Sequence, residues 1–296
     1  MLRQHNSMAT RMFGCCGLAL IYSSAVGQQQ YSVTEINASG SASAISGVGT
    51  VTGQALFPNP LAPSDNFDAY IYRAGSVRDL GGFPDPGNVN YPATISQGNG
   101  INSCGLVTGN SAYNGTSDVV AFLYANGALQ NLGTLGGPNS IGEGINAKGH
   151  VAGWASTPTT FHAFLYTPEA GMQDIGTLGG ATSQGFGINE NDQITGSAEI
   201  AGSRASHAFI YSNGSMQDLG TLYGSSSYGL SINAAGHVVG RSDLVFHTGS
   251  TISHAFFYSN GVMQDIGAAN GGYTVALSIN NYDEIVGQAT EGGCRD

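Results

Sequence analysis

The chain has 296 residues, of which 46 are Gly, 19 are Asp or Glu and 8 are Lys or Arg, for a formal net charge of −11. Charged residues make up 9% and hydrophobic ones 41%, so glycine is about twice its usual share and charge well below its usual ~25%. That excludes a disordered polyelectrolyte, a Glu/Lys-rich helical bundle, collagen with its Gly at every third position, and a nucleic-acid binder, which needs cations to displace the counterions of phosphate. What remains is an all-β chain of short strands punctuated by tight turns.

In chain order, residues 1–27 come first and read as a secretory signal. Arg3 and Arg11 charge the front. Met12 to Tyr22 is an apolar run too short to span a bilayer, and Ala25-Val26-Gly27 supplies the small residues of a cleavage site. A buried N-terminal strand is the alternative reading. Cleavage would remove Cys15 and Cys16 and leave Cys104 and Cys294, too few for a disulfide framework and with no spacing that demands a bridge. No second long apolar run follows, so no membrane span is expected. Residues 31–296 then form a single domain.

That domain is a repeat. An apolar-Asn/Ser element is followed seven residues later by Gly at Ser46/Gly53, Asn102/Gly109, Asn146/Gly153, Asn189/Gly196, Asn233/Gly240 and Asn280/Gly287. A second element follows each of the first five: Ala-aromatic-apolar-Tyr, a turn, then apolar-x-Asp/Asn-apolar-Gly, starting at Asp68, Val120, His162, His207 and His254. Each element predicts a hairpin. Asn146-Ala147-Lys148-Gly149 suits a type I turn closed by a left-handed residue, with Asp192 and Asp283 in the place of that Gly in two copies. Asn213-Gly214, Asn126-Gly127 and Asn260-Gly261 are two-residue hairpin turns. Two hairpins, or four strands, in about 44 residues is the repeat of a β-propeller blade.

The ends predict how the ring closes. Val33-Thr34-Glu35-Ile36 aligns with Met172-Gln173-Asp174-Ile175, the last strand of a blade, while the C-terminal copy supplies only the hairpin from Ala276 to Ala289. The expectation is therefore six blades, the last split between the termini. It would lack its third strand unless the tail from Gly292 to Asp296 substitutes. The abrupt end also reads as a truncated reading frame.

The His-Ala-Phe elements at His162, His207 and His254, each followed by Met-Gln-Asp-apolar-Gly, resemble the HAF family of bacterial extracellular repeat proteins over about residues 31–290. The resemblance implies a secreted or surface location and a β-propeller, and does not imply an activity. Asp68 and Val120 depart from it, standing where the His should be.

Several residues are candidates for chemistry. With a two-residue turn at Asn213-Gly214, Phe209 faces Asp218, and His207 lies diagonal to that Asp on the same face. The same logic joins His254 with Asp265 and His162 with Asp174. Where Val120 replaces His, Asn131 replaces Asp. A pair recurring blade after blade reads as a buried hydrogen bond that locks each blade, in preference to a catalytic dyad or metal site. His150 and His237, with Lys148 and Arg241, are weak candidates for ligand contact at a rim, against a plainer reading as solvated turn residues. The oxygen-rich turns Asn189–Asp192 and Asn280–Glu284 are where calcium would bind, but they lack EF-hand order and read as structural. The Pro-rich stretches Phe57–Pro63 and Phe83–Pro92 account for the long first interval and are where a binding loop would be sought.

The resulting expectation is a monomeric, secreted binding or interaction scaffold for a cell-surface polymer or protein. It carries no catalytic residue, no metal and no cofactor. An extracellular polysaccharide-active hydrolase or lyase with its site in the central channel is the alternative.

Overall fold

The structure, a computed structural model, describes residues 18–20, 33–36, 39–58, 66–83, 95–112, 118–245, 251–267 and 272–290. The rest of the leader, most of both Pro-rich stretches, Cys294 and the tail from Gly292 lie outside the described residues.

Every described element is a strand. Two short ones come first, β1 (Leu18–Leu20) and β2 (Val33–Glu35), paired with each other. Five four-stranded antiparallel blades follow. Blade 1 is β3 (Gly40–Ile45), β4 (Val51–Phe57), β5 (Asn66–Arg73) and β6 (Ser76–Gly81). Blade 2 is β7 (Ser96–Ile101), β8 (Val107–Ala112), β9 (Val119–Ala125) and β10 (Ala128–Asn131). Blade 3 is β11 (Ser140–Ile145), β12 (Val151–Ser156), β13 (Phe161–Thr167) and β14 (Gly171–Asp174). Blade 4 is β15 (Gly179–Ile188), β16 (Ile194–Ile200), β17 (Ser206–Ser212) and β18 (Ser215–Asp218). Blade 5 is β19 (Ser227–Ile232), β20 (Val238–Val245), β21 (Thr251–Ser259) and β22 (Val262–Asp265). The sixth sheet has two strands, β23 (Thr274–Ile279) and β24 (Ile285–Ala289), as a blade split between the termini requires.

The turns form as their residues dictate. Asn213 and Gly214 both have positive φ, and Tyr211 faces Met216 while Phe209 faces Asp218. Gly149 and Gly236 are left-handed, and so are Asp192 and Asp283 in their places. The repeated Asn explains itself here. The Asn146 side-chain oxygen accepts the N–H groups of Lys148 and His150, which pins its own turn. Its amide then donates to the Asn189 carbonyl of the next blade. Asn102, Asn189 and Asn233 make the same reach, so a ladder of amides runs from blade 2 to the sixth sheet.

The core lies between blades. Ala121, Leu123 and Leu132 of blade 2 pack on Val151, Ala155 and Phe164 of blade 3, and Ala152, Ala163 and Ile175 of blade 3 pack on Ile194, Ala198 and Phe209 of blade 4. Each interface from blade 1 to the sixth sheet also carries a clasp. The Ser183 hydroxyl opens β15's pairing and accepts the Ala163 N–H of the preceding blade while donating to the Gly176 carbonyl. Ser96, Ser140 and Ser227 do the same, and Thr274 accepts the Ala255 N–H. A buried hydroxyl that satisfies two backbone groups of another blade fixes register as well as adding attraction.

Candidate functional site: the central channel

The innermost strand of every blade carries a β-bulge at one place. The register skips between Ala42 and Ala44, Gly98 and Gly100, Gly142 and Gly144, Gly185 and Gly187, Gly229 and Ser231, and Ala276 and Ser278. The skipped residues are Ser43, Asn99, Glu143, Phe186, Leu230 and Leu277. A bulge leaves its extra residue out of the ladder and re-aims its side chain. All six line one cavity of about 590 Å³ at the ring's centre.

Flanking positions stay small from blade to blade, but the bulged residue changes each time. Ser43, Asn99 and Glu143 form a polar arc, and Phe186, Leu230 and Leu277 an apolar one. The Asn99 amide donates to the Gly142 carbonyl of the next blade, which orients its own carbonyl oxygen. Burial pushes the Glu143 carboxyl up to about 7, against a hydrogen bond from Trp154 that pulls it down. A carboxyl near neutrality can either donate or accept. The channel therefore offers hydrogen bonds on one side and an apolar wall with one aromatic ring on the other. The sequence signal was available: one variable residue between small ones, two before each repeated Ile.

The His and Asp of the repeat lie elsewhere, on the second hairpins. His162 Nδ1 is 2.8 Å from Asp174, His207 Nδ1 is 2.9 Å from Asp218 and His254 Nδ1 is 2.9 Å from Asp265. The expected burial needs correcting. The imidazoles are largely covered, but the carboxylates of Asp174 and Asp218 are 42% exposed and that of Asp265 is 34% exposed, because these strands form the outer edge of each blade. Each Asp has a second task. Its other oxygen, or the same one, accepts the N–H of the Gly two residues on, at the turn leading to the next blade. Asn131 does this for Gly133, so Asn serves where no His needs a charge. Asp218→Ala is accordingly expected to cost more than His207→Ala. The His change removes one partly exposed hydrogen bond to a carboxylate, worth up to ~1 kcal/mol; the Asp change removes that and the turn cap, together about 1–2 kcal/mol. Urea unfolding of the two variants checks the order, and equal midpoints would contradict it.

Blade 1 breaks the pattern. Asp68, in the place of His, is buried at 4% exposure and sits beside Asp79. Desolvation, then the charge of Asp79, push its carboxyl up to about 7, with the Ser96 hydroxyl pulling it down.

The rim candidates are mostly engaged. His150 Nδ1 and Lys148 Nζ each lie 2.8 Å from Asp192 of the next blade, and His237 Nδ1 lies 2.8 Å from Asp283. Asn146 and Asn233 donate to the same two carboxylates. These hydrogen bonds, with that from Lys148 at Asp192, hold both carboxyls below the usual range, with burial opposing them. The solvated-turn reading of His150 and His237 is thus replaced by clamps between blades. Each partner lies more than 40 residues away, and the signal was that each His precedes a copy with Asp in its turn. In the first oxygen-rich turn both carboxylates accept protein donors, Glu190 taking the Ala147 N–H, and in the second Asp283 and Glu284 each accept at one oxygen. Arg241 lies 4.2 Å over the Tyr228 ring, apart from His237. Among the described residues no group of three or more His, Cys, Asp or Glu is gathered as a metal site, and Cys104 is a free, exposed thiol.

No family model matches the chain, and neither does any curated protein. Among solved structures, it is similar to the β-propeller domain of the trilobed protease from Pyrococcus furiosus, described as having an open velcro topology. Identity is 12% and the TM-score 0.56, over 86% of this chain and 78% of that one. TolB from Acinetobacter baumannii is similar at 11% identity and a TM-score of 0.47, over 82% of this chain and 64% of that one. The first likeness shows the fold: the chain is a β-propeller.

Proposed function

We propose that the chain is a secreted binding scaffold that takes its ligand at the channel, the ligand being part of a cell-surface polymer or protein. One observation carries this. Six bulges aim six side chains at one cavity, and these are the residues that differ between otherwise like blades. A purely structural array has no need of such a variable set; a recognition site does. The polar arc and the Phe186 wall suit a group with a hydrogen-bonding edge and an apolar face, as a sugar ring or a short peptide presents. The leader at residues 1–27 and the HAF resemblance support an extracellular location. Among the described residues no helix is long and apolar enough to cross a membrane.

A polysaccharide hydrolase or lyase is the second reading, and the raised Glu143 is what favours it. Glycoside hydrolysis generally uses two carboxyl groups about 5–10 Å apart. Glu143 is the single acid among the six bulged residues, which favours binding.

A screen of glycans, polymers and peptides against the full chain, with and without calcium, tests this. A ligand is expected whose affinity falls about ten-fold or more in Phe186→Ala and in Glu143→Ala, with the ligand recovered unchanged. Cleaved ligand would favour the enzyme, and affinity indifferent to both substitutions would remove the channel from the account.

A further inference from the structure

The sixth blade consists of two halves on either side of a seam. β23 and β24 dock on blade 5 through Val239, Ala255, Ala276 and Ile279. β1 and β2 form the other half. Their register, Leu20↔Val33, Ala19↔Thr34 and Leu18↔Glu35, repeats Tyr166↔Met172, Leu165↔Gln173 and Phe164↔Asp174 of blade 3 position for position. β1 thus stands in third-strand register and β2 in fourth-strand register. Ile36 agrees. It packs on Val51, Ala55 and Tyr70 of blade 1 as Ile175 packs on Ile194, Ala198 and Phe209 of blade 4.

Among the described residues β24 pairs with β23 alone. Val286 is 64% exposed, where Thr52, Thr108, Ala152, Thr195 and Val239 at the same place in the other blades are at 0%. The amide ladder ends here, with Asn280 turning to its own Glu284. Gly40 stands in the register position of the clasp serine, so that position carries no hydroxyl. Residues Ile285–Ala289 contain no charge and no Pro, the usual guards of a free strand edge.

We propose that the slot between β24 and β2 is a strand-acceptor site for an extended peptide of third-strand pattern, with Leu18–Leu20 as its internal plug. The pattern is Ala, an aromatic residue, a third residue, then Tyr. It is set by what the slot repeats: in the other blades the Ala is buried against the next blade, and the aromatic lies opposite the second-strand Gly, as Phe164 does Gly153. In the slot the aromatic would face Gly287 and the Tyr would face Ile285. Main-chain hydrogen bonds to the edge supply affinity, and alternate side chains supply selectivity. Cleavage after residue 27 would remove the plug and leave the mature chain open to a strand from a partner.

The probe is a fluorescent peptide copying Ser206–Ser212, Ser-His-Ala-Phe-Ile-Tyr-Ser. It is titrated against the full chain and against a full-length Leu18→Asp/Leu20→Asp variant. The variant is expected to bind at least about ten-fold more tightly than the unaltered chain. Bound peptide should slow hydrogen exchange at Ile285–Ala289. Val286→Pro should abolish both effects, and a scrambled peptide should show neither. If the charged variant does not fold, Leu18→Gly/Leu20→Gly makes the same comparison. Equal binding by plugged and unplugged chains, protection elsewhere on the ring, or a dimer that protects β24 without peptide would each overturn the proposal.

Discussion

Gly196→Ala is expected to unfold the protein. A methyl group at Gly196 would lie 1.8 Å from the Gln184 carbonyl oxygen and 2.9 Å from the Phe209 ring. The obstacle is backbone, paired across the bulge of the innermost strand, so relief requires that β15 and β16 separate. Overpacking in a core costs about 1–3 kcal/mol where side chains can yield; here the yielding group is the strand that lines the channel and carries the Ser183 clasp. The loss should exceed that range, enough to remove most of the stability of an ordinary domain, about 5–15 kcal/mol. Gly53, Gly109, Gly153, Gly240 and Gly287 meet first-strand carbonyls at 1.8–2.0 Å in the same way. Gly214→Ala is the control. Its φ is +81° but a Cβ there meets nothing within 4 Å, so only the turn's backbone preference is lost, about 1 kcal/mol. Thermal unfolding of the two variants checks the contrast, and a folded Gly196→Ala with a nearly unchanged midpoint would contradict the account of the repeat.

Asp68→Asn should stabilise the protein, and by an amount that depends on pH. The carboxyl ionises at 3.8 when unfolded and at about 7 when folded. A group with a raised folded value contributes stability that is present below the unfolded value and is lost as pH rises through the folded one. The wild-type chain should therefore match the variant below about pH 4 and fall behind it steadily up to about pH 7, where the gap levels at on the order of 4 kcal/mol. Asp68→His should do as well or better at neutral pH, since it restores the His–Asp pairing of the later blades opposite Asp79. Urea unfolding of all three chains across pH 4–8 measures this. A gap that stays constant with pH would mean that Asp68 is ionised in the folded protein, and that blade 1 tolerates two adjacent charges.

The architecture was legible because it depends on local chemistry repeated. Asn-Gly turns, an Asn seven residues before a Gly, and an Ala-aromatic-x-Tyr strand each specify one hairpin, and regular spacing turns hairpins into blades. The His207–Asp218 pairing was legible for the same reason: turn length alone fixes which residues share a face. What could not be read was whatever depends on the neighbouring blade. His150 finds Asp192, and Ser183 finds Ala163, across an interface that no local pattern describes. Burial of the His–Asp pairs was overstated because the alignment does not say that the fourth strand is the outer edge. The channel residues are not legible from the repeat because they are the positions at which the blades differ. Yet Ser43, Asn99, Glu143, Phe186, Leu230 and Leu277 vary at one fixed place, two residues before each repeated Ile. Variation confined to a bulge is what a shared frame with an individual site would produce.

The glycine count is a consequence of that frame. The Gly ending each first element admits the inner carbonyl, and the turn and linker glycines supply positive φ. The sparse charge follows too, since blades packed face to face leave mainly turns and outer edges for it. Two of the described acids that lie on inner strands, Asp68 and Glu143, have carboxyls that burial pushes up to about 7.

The most direct test is ligand affinity and melting temperature measured together on one set of variants. Alanine at Asn99, Glu143, Phe186 and Leu230 probes the channel, and His207→Ala and Asp218→Ala probe the blade edge. The channel account predicts that the first set weakens binding and leaves melting nearly unchanged, while the second lowers melting and leaves affinity intact. Binding that ignores the channel set but falls with Lys148→Ala or Arg241→Ala would contradict it and move the site to the rim.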